Sequence, residues 1–558
     1  MTRGQNNKRK NMDKILFIVP PHVRFKDFVD PPSNFKVVKK KDANFGNLFT
    51  DMPLGILSLS AYLKKHACVE TKLIDFNIVI NKTEDFKYNS FSEFFSSFLS
   101  SAECKNFTPN IISISALFTT SYRSMVDIAE CCRSIFPTAM IIAGGGIPTN
   151  MYKEIFKESS CFDALCYGEG ERPFLSLVKA DDKRRQLEEN PSWITKKKAE
   201  SGQQFQHDFI VNLDEIPFLD YDICKIDEYG LNPAITAYAP IGGKRQNFHV
   251  MTSRGCVNRC CFCSSFTVHG RKMRYYSIER VREDFTRLRD AYGAKTVVVQ
   301  DDHLMADKRR ALEIIKIIKD LHLTAVFQNA LALCALDREV LETLKSAGVD
   351  QLPLAVESGS ERVLRDIMHK PLNLSIVKRV ADDCRDLGIY TNVSILIGLP
   401  GETKKDIEDA RSFLKTINAN WFIILVATPL VGTEMLDICL KGGYLKGSYI
   451  DCDYKKAIVE TKDFTAQYIQ DMAYILNLEL NFIENSDFRL GDYKTAVKGF
   501  ENVLRAKSDH VFAYYYAGKC YKRLGDQVKA QEYTNRVKAI LAESSFWQKY
   551  VTMFNIPI

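Results

Sequence analysis

The chain has no hydrophobic run long enough to cross a bilayer. Its longest uncharged apolar stretch, Trp421 to Thr433, falls well short of the roughly 20 residues a helical span needs. The apolar run Ile15 to Val19 is too short for a signal peptide; it follows the basic Lys8-Arg9-Lys10 and ends in Pro20-Pro21. No membrane span is expected. No basic block stands out either: the net charge of +7 is spread over 558 residues, so nucleic acid is not indicated. The sixteen cysteines lack the spacing of a small disulfide-stapled domain, which points to a reducing, cytoplasmic setting. No G-x-G-x-x-G follows the first strand, which argues against a nicotinamide site. What remains is ordinary globular protein, 46% apolar and 26% charged, and too long for one core. Three or four domains are expected.

The stretch that organises this chain is Thr252-Ser253-Arg254-Gly255-Cys256-Val257-Asn258-Arg259-Cys260-Cys261-Phe262-Cys263. Cys256, Cys260 and Cys263 stand at C-x3-C-x2-C. In a reducing compartment, closely spaced cysteines serve metal or redox work. Three thiolates can hold three irons of a [4Fe–4S] cluster, whose usual complement is four cysteines, and so leave one iron open. The alternatives are a zinc site and a buried cysteine cluster. Zinc wants further ligands nearby, and His269 is the nearby candidate. Cys261 breaks the spacing and reads as a packed thiol. The spacing, with an aromatic residue before the last cysteine, resembles the signature of the radical S-adenosylmethionine (SAM) enzymes.

The first 180 residues alternate strands with helices. Lys14–Val19, Val69–Asp75, Asn110–Ser115, Ala139–Ala143 and Asp163–Tyr167 read as buried strands, and Pro53–Lys65 and Ser121–Phe136 as helices. This pattern gives a doubly wound, Rossmann-like parallel sheet, whose ligands bind at the carboxyl ends of strands. Glycines gather there, at Gly144-Gly145-Gly146 and Gly168-Glu169-Gly170-Glu171. With Pro53-Leu54-Gly55 and Ser115-Ala116-Leu117, these stretches resemble the cobalamin-binding domain upstream of the cluster in many radical SAM enzymes. The resemblance assigns Ser115, Leu117, Gly144, Gly145 and Gly146 to cobalamin. The family's D-x-H-x-x-G is absent, so cobalt should receive no histidine from that motif; the alternative is a vestigial fold without cofactor.

From Asp181 to Asn247 no period is long enough for a core. Trp193–Lys196 and Gln203–Val211 read as a hairpin, Leu213–Tyr221 as an extended linker, and Lys196-Lys197-Lys198 as a solvated face. Six strand-plus-helix units follow, with strands at Phe248–Thr252, Lys295–Gln300, Leu323–Asn329, Gln351–Val356, Tyr390–Ile397 and Trp421–Thr428. They predict a partial (β/α)6 barrel, open on one side, with its site at the carboxyl ends of the strands. The cluster loop, Asp301-Asp302, Glu357-Ser358 and Gly398–Glu402 all fall there. Ala355–Ser360 and Ile397–Glu402 resemble later motifs of the radical SAM family. By that resemblance Phe262, Ile397 and Gly398 serve the adenine, and Glu357 and Ser358 the amino-acid or ribose end. Read alone, Glu357 could instead pair with Arg254 or Arg274.

The tail repeats Gly491-Asp-Tyr-Lys-Thr-Ala496 as Gly525-Asp-Gln-Val-Lys-Ala530 at a spacing of 34, the tetratricopeptide period, with Ser508 where a proline is usual. About two degenerate units are expected to pack on the helix Thr465–Glu484, as a partner-docking surface or a lid. The expected domains are 12–182, a linker 183–245, a barrel 246–450 and a helical tail 451–558.

Taken together, the resemblance implies a [4Fe–4S] cluster, SAM and cobalamin. It implies an enzyme that cleaves SAM reductively, takes hydrogen from an unactivated carbon and transfers a methyl group. No side chain is assigned a catalytic role, because the cofactors carry the chemistry. An electron donor such as flavodoxin or ferredoxin is implied, with a protein partner through the tail and a small-molecule or peptide substrate. The alternatives are a cobalamin-independent reaction on the same barrel, such as cyclisation, rearrangement or sulfur insertion, and a non-catalytic repeat-bearing interaction protein.

Overall fold

A computed structural model of the chain describes residues 12–31, 37–41, 43–229, 247–452 and 455–558. The basic start Lys8-Arg9-Lys10, the end of the expected linker and residue 246 lie outside these. Among the described residues no helix is long and apolar enough to cross a membrane.

Continuous apolar runs build the first sheet, because strands covered on both faces need no polar alternation. Its strands are β1 (Asp13–Val19), β2 (Val69–Asp75), β3 (Ile111–Ser115), β4 (Met140–Gly144), β5 (Ala164–Cys166) and β6 (Trp193–Ile194). The order is β2-β1-β3-β4-β5-β6. All neighbours are parallel except the short β6, which runs antiparallel to β5. The order reverses between β1 and β3, so the ligand crevice opens beyond their carboxyl ends. Helix Leu54–His66 covers one face, and Tyr122–Ile135 with the phenylalanine-rich Phe91–Leu99 covers the other.

The join departs from expectation. Trp193–Ile194 pairs with Leu165–Cys166 at the sheet edge and does not form a hairpin with 203–211. Helices Lys183–Glu189 and Lys196–Glu200 were not foreseen; each is a short element whose N-terminal cap, Asp182 or Thr195, accepts a backbone N–H. Lys196 and Lys197 are exposed, but Lys198 is buried. Its ammonium donates to the carbonyls of Leu187, Asn190 and Trp193, which together replace water around the charge. Leu213–Tyr221 is not simply extended: it forms the turns Leu213–Glu215 and Tyr221–Ile223 at its ends. Leu213, Ile216 and Tyr221 sink into the barrel core, and the Tyr221 hydroxyl donates to the His249 carbonyl at 2.8 Å.

The barrel strands are β7 (Asn247–Val250), β8 (Thr296–Val299), β9 (Thr324–Phe327), β10 (Gln351–Glu357), β11 (Tyr390–Ile397) and β12 (Trp421–Val426). They form two parallel three-stranded sheets, β9-β8-β7 and β10-β11-β12, with β9 beside β10. Helices Ile278–Tyr292, Lys308–Asp320, Arg338–Ser346, Leu374–Asp386 and Lys404–Leu414 form the outer layer. Ser277 caps the first by accepting from Arg280 N, and Thr403 with Asp406 closes a capping box on the last.

Strand β12 ends the second sheet, and the tail covers it. Helix Ala466–Leu478 continues through 479–483, where the Asn481 amide donates to the Phe422 carbonyl (2.8 Å) and accepts from its N–H (2.7 Å). One side chain thus takes the place of a pairing strand at an exposed edge. Beyond it, helices Tyr493–Ala506, Val511–Arg523 and Gln527–Glu543 pack in sequence around Phe482, Phe500, Phe512 and Trp547.

Candidate active site between the sheet and the barrel

The cysteine loop leaves β7 through a two-residue ribbon, in which Ser253-Arg254 pairs with Arg274-Tyr275. Gly255 turns the chain at φ +96°, and a Cβ there would stand 2.5 Å from the Lys272 carbonyl oxygen. Only glycine fits such a turn. Cys256 N donates to Gly270 O, Cys263 N to Cys260 O and Cys261 N to Met368 O. Cys256, Cys260 and Cys263 are half-buried, whereas Cys261 points into the barrel core. Burial pushes the Cys260 thiol up to about 11 against the opposing charge of Lys370, and burial raises Cys256 as well. These thiols hold their protons until a metal displaces them.

The donor set suits a cluster better than a single zinc ion. A structural zinc site takes four ligands, and the three cysteines leave it one short. His269, the nearby candidate for a further ligand, has Nδ1 2.8 Å from Glu169 Oε1. Three soft thiols on one loop match a [4Fe–4S] cluster with an open corner.

Glu357 ends β10 at a bulge, where the register against β11 shifts, and its φ is +69°. A non-glycine residue there is uncommon and marks a side chain aimed by its surroundings. Its partner is Lys370 Nζ at 3.3 Å, not Arg254 or Arg274. The charges of Lys370 and Glu357 both reach the Cys260 thiol, so this pair adjoins the cysteine loop. Ser358 is buried, with Oγ accepting from Ser360 N. Phe262 packs at the edge of the barrel core, and Ile397 lies within it.

Gly398 has φ +92°, with Ile469 Cγ2 2.8 Å from the position of a Cβ. Its N–H donates to Glu402 Oε2 at 2.6 Å, and Leu399 N donates to the same oxygen at 3.2 Å. Glu402 is fully buried, and its Oε1 has no hydrogen-bond partner among the described residues. Burial outweighs the two backbone donors and raises its carboxyl to about 7.

The cobalamin candidates line the crevice of the first sheet. Leu117 is 62% exposed and Phe118 46%, unusual for large apolar side chains. They follow β3 at the strand-order reversal, and the Phe118 ring meets His22, just beyond β1, edge-on at 5.7 Å. Ser115 is half-buried and pairs with Gly144. Gly145 takes φ +103°, and a Cβ would lie 2.7 Å from Ala116 O. The turn after β4 therefore sits against the one after β3, and Ile147 N donates to Ala116 O.

Sheet and cysteine loop are joined. Asn150, on the helix Gly146–Asn150, donates to Thr267 Oγ1 at 2.9 Å, four residues past Cys263. Glu169 and Glu171, beyond β5, meet Arg254 and Arg274 at the two stems of the loop. In the sequence these glutamates stand out only as part of a glycine-rich motif. Two acids between glycines at a strand end, with two arginines bracketing a cysteine loop, was the available signal.

Family models match both parts. The B12 binding domain matches residues 49–178, and the Radical SAM superfamily matches residues 250–414. An uncharacterized methyltransferase of Pyrococcus horikoshii is 26% identical over 434 residues, covering 76% of this chain and 87% of the relative. The cytidylyl-2-hydroxyethylphosphonate methyltransferase of Streptomyces wedmorensis is 25% identical over 407 residues, covering 68% and 76%. The fold resembles OxsB with aqua-cobalamin and SAM bound, at TM-score 0.58, 15% identity, 94% of this chain and 76% of the other. It also resembles the radical SAM methyltransferase TsrM of Kitasatospora setae with cobalamin and a [4Fe–4S] cluster, at TM-score 0.55, 14% identity, 78% and 76%. Three cysteines at the mouth of a partial barrel, on a loop tied to a doubly wound sheet, thus agree with both family models: the chain carries a domain of the radical SAM superfamily at residues 250–414, with a B12-binding domain ahead of it at 49–178.

Proposed function

We propose that the chain is a cobalamin-dependent radical SAM methyltransferase acting on an unactivated carbon. One observation carries the reading: the carboxyl-end loops of the first sheet, with exposed Leu117 and Phe118, are stitched directly to the cysteine loop at Thr267, Arg254 and Arg274. Two cofactors held there would share one water-poor space. The two methyltransferase relatives span most of this chain and support the same reading.

When bound, the cluster and SAM supply reductive cleavage of the sulfonium and removal of a substrate hydrogen atom, and cobalamin supplies the methyl group. The chain's own part is binding, orientation and exclusion. Cys256, Cys260 and Cys263 would hold the cluster. Glu357 and Ser358 would orient the polar end of SAM, with Lys370 fixing the Glu357 carboxylate. Phe262, Ile397 and the Gly398 turn would wall the adenine. Ser115 and Gly144–Gly146 would admit cobalamin by close backbone approach, with Leu117 against its face. Residues 12–182 would serve cobalamin, 246–450 the cluster and SAM, and 451–558 would seal β12. The tail's helices would offer a partner surface of tetratricopeptide type. A cytoplasmic flavodoxin or ferredoxin would supply electrons.

Anaerobic reconstitution tests this. The protein should take up iron, sulfide and cobalamin, and with a reductant should form 5′-deoxyadenosine and S-adenosylhomocysteine. Cys260→Ala should abolish both the cluster absorbance and SAM cleavage. Failure to take up cobalamin, with no S-adenosylhomocysteine, would remove methyl transfer and leave a cobalamin-independent reaction.

A further inference from the structure

The loop 255–273 is closed at its base by Arg254 and Arg274, which are cross-strand neighbours. Both guanidinium groups are buried, and two adjacent buried cations repel unless an anion lies between them. Glu169 is that anion. Its Oε2 lies 3.1 Å from Arg254 Nη1 and 2.8 Å from Arg274 Nη1; its Oε1 lies 2.5 Å from Arg274 Nη2 and 2.8 Å from His269 Nδ1. One carboxylate of the first sheet thus holds the loop before its first cysteine and again after its last. Glu171 completes the charge balance through Arg254 Nη2 at 2.8 Å. Burial would raise the Glu169 carboxyl, but the Arg254 charge and the bonds from Arg274 and His269 hold it well below the usual carboxylate range. The Phe209 ring stacks on the Arg274 guanidinium at 4.3 Å, and Ile210 O accepts from its Nη1.

We propose that Glu169 is a positioning residue: the B12-binding domain uses it to set the shape of the cysteine loop, so the cluster's hold on the chain depends on that domain. The inference rests on the proposed function only for its iron measurement.

The test uses the full chain. In the metal-free protein, Glu169→Gln should raise hydrogen exchange across 255–273 at least tenfold while leaving β1–β4 protected. In the reconstituted protein it should speed iron loss to a ferrous chelator by a similar factor. The charge-balanced pair Glu169→Gln with Arg274→Met should recover thermal stability but not loop protection. Asp487→Asn, at the ion pair that joins the tail to the barrel helix Leu374–Asp386, should lower thermal stability without touching exchange in 255–273. Where Glu169→Gln does not fold, Arg274→Lys keeps the charge, loses the fork and should loosen the loop in the same way. Unchanged exchange in the folded variant overturns the proposal, as does equal loosening by Asp487→Asn or recovery of exchange together with thermal stability in the pair. A wild-type chain that takes up no iron would refute the cluster reading, while the exchange measurement would still decide this one.

Discussion

Glu402 offers a quantitative check on the barrel mouth. Its carboxyl is fully buried and, among the described residues, receives only the Gly398 and Leu399 N–H groups on one oxygen and has no partner on the other. The nearby Arg362 is already spent on Asp406. Raising a carboxyl from 4.5 to about 7 corresponds to a cost of about 3 kcal/mol for carrying the charge in the folded state. The folded chain binds this proton more tightly than the unfolded chain. Its contribution to stability is therefore greatest below about pH 4.5, falls from 4.5 to about 7, and is flat above. Glu402→Gln removes that dependence. Between pH 5 and pH 8 the wild type should lose roughly 2–3 kcal/mol relative to the variant. Native-state exchange of the β11 amides reads this loss locally, and infrared difference spectra should show a protonated carboxyl band in the wild type at pH 6 that the variant lacks. Parallel pH profiles, or no such band, would refute the burial argument.

Three further outcomes follow from single contacts. Gly255→Ala meets the Lys272 carbonyl at 2.5 Å and a φ of +96°, so it should cost about 1–3 kcal/mol and reduce iron uptake; normal uptake would show that the turn can relax. Leu117→Ser changes an exposed side chain, so thermal stability should hold within about 0.5 kcal/mol, while cobalamin retention on desalting should fall about tenfold if Leu117 lies against the cofactor. Equal retention would move the cofactor elsewhere. Among the described residues, Arg385→Met leaves the buried Asp487 carboxylate with only the Asn420 amide, so tail docking should weaken by about 3 kcal/mol and proteolysis should release the tail; adding Asp487→Asn should restore much of it, and undiminished resistance in the single variant would mean the pair is dispensable.

The sequence alone set the elements and the chemistry class. Apolar runs such as Ile15–Val19 become buried parallel strands wherever helices cover both faces, and the C-x3-C-x2-C spacing brings three thiols onto one loop through local geometry. These are short-range matters, and periodicity records them. Tertiary structure decided what long-range pairing controls. Lys198 reads as solvated by composition, yet carbonyls from 5 to 11 residues away bury it. Trp193–Ile194 joins a sheet edge, because β5 supplies a partner that no local pattern announces. Glu169 finds Arg254 and Arg274 some hundred positions downstream, and Asn481 finds β12. A buried charge or an open strand edge must be satisfied by whatever the fold brings close, and a residue's own neighbours in the chain carry no record of that partner.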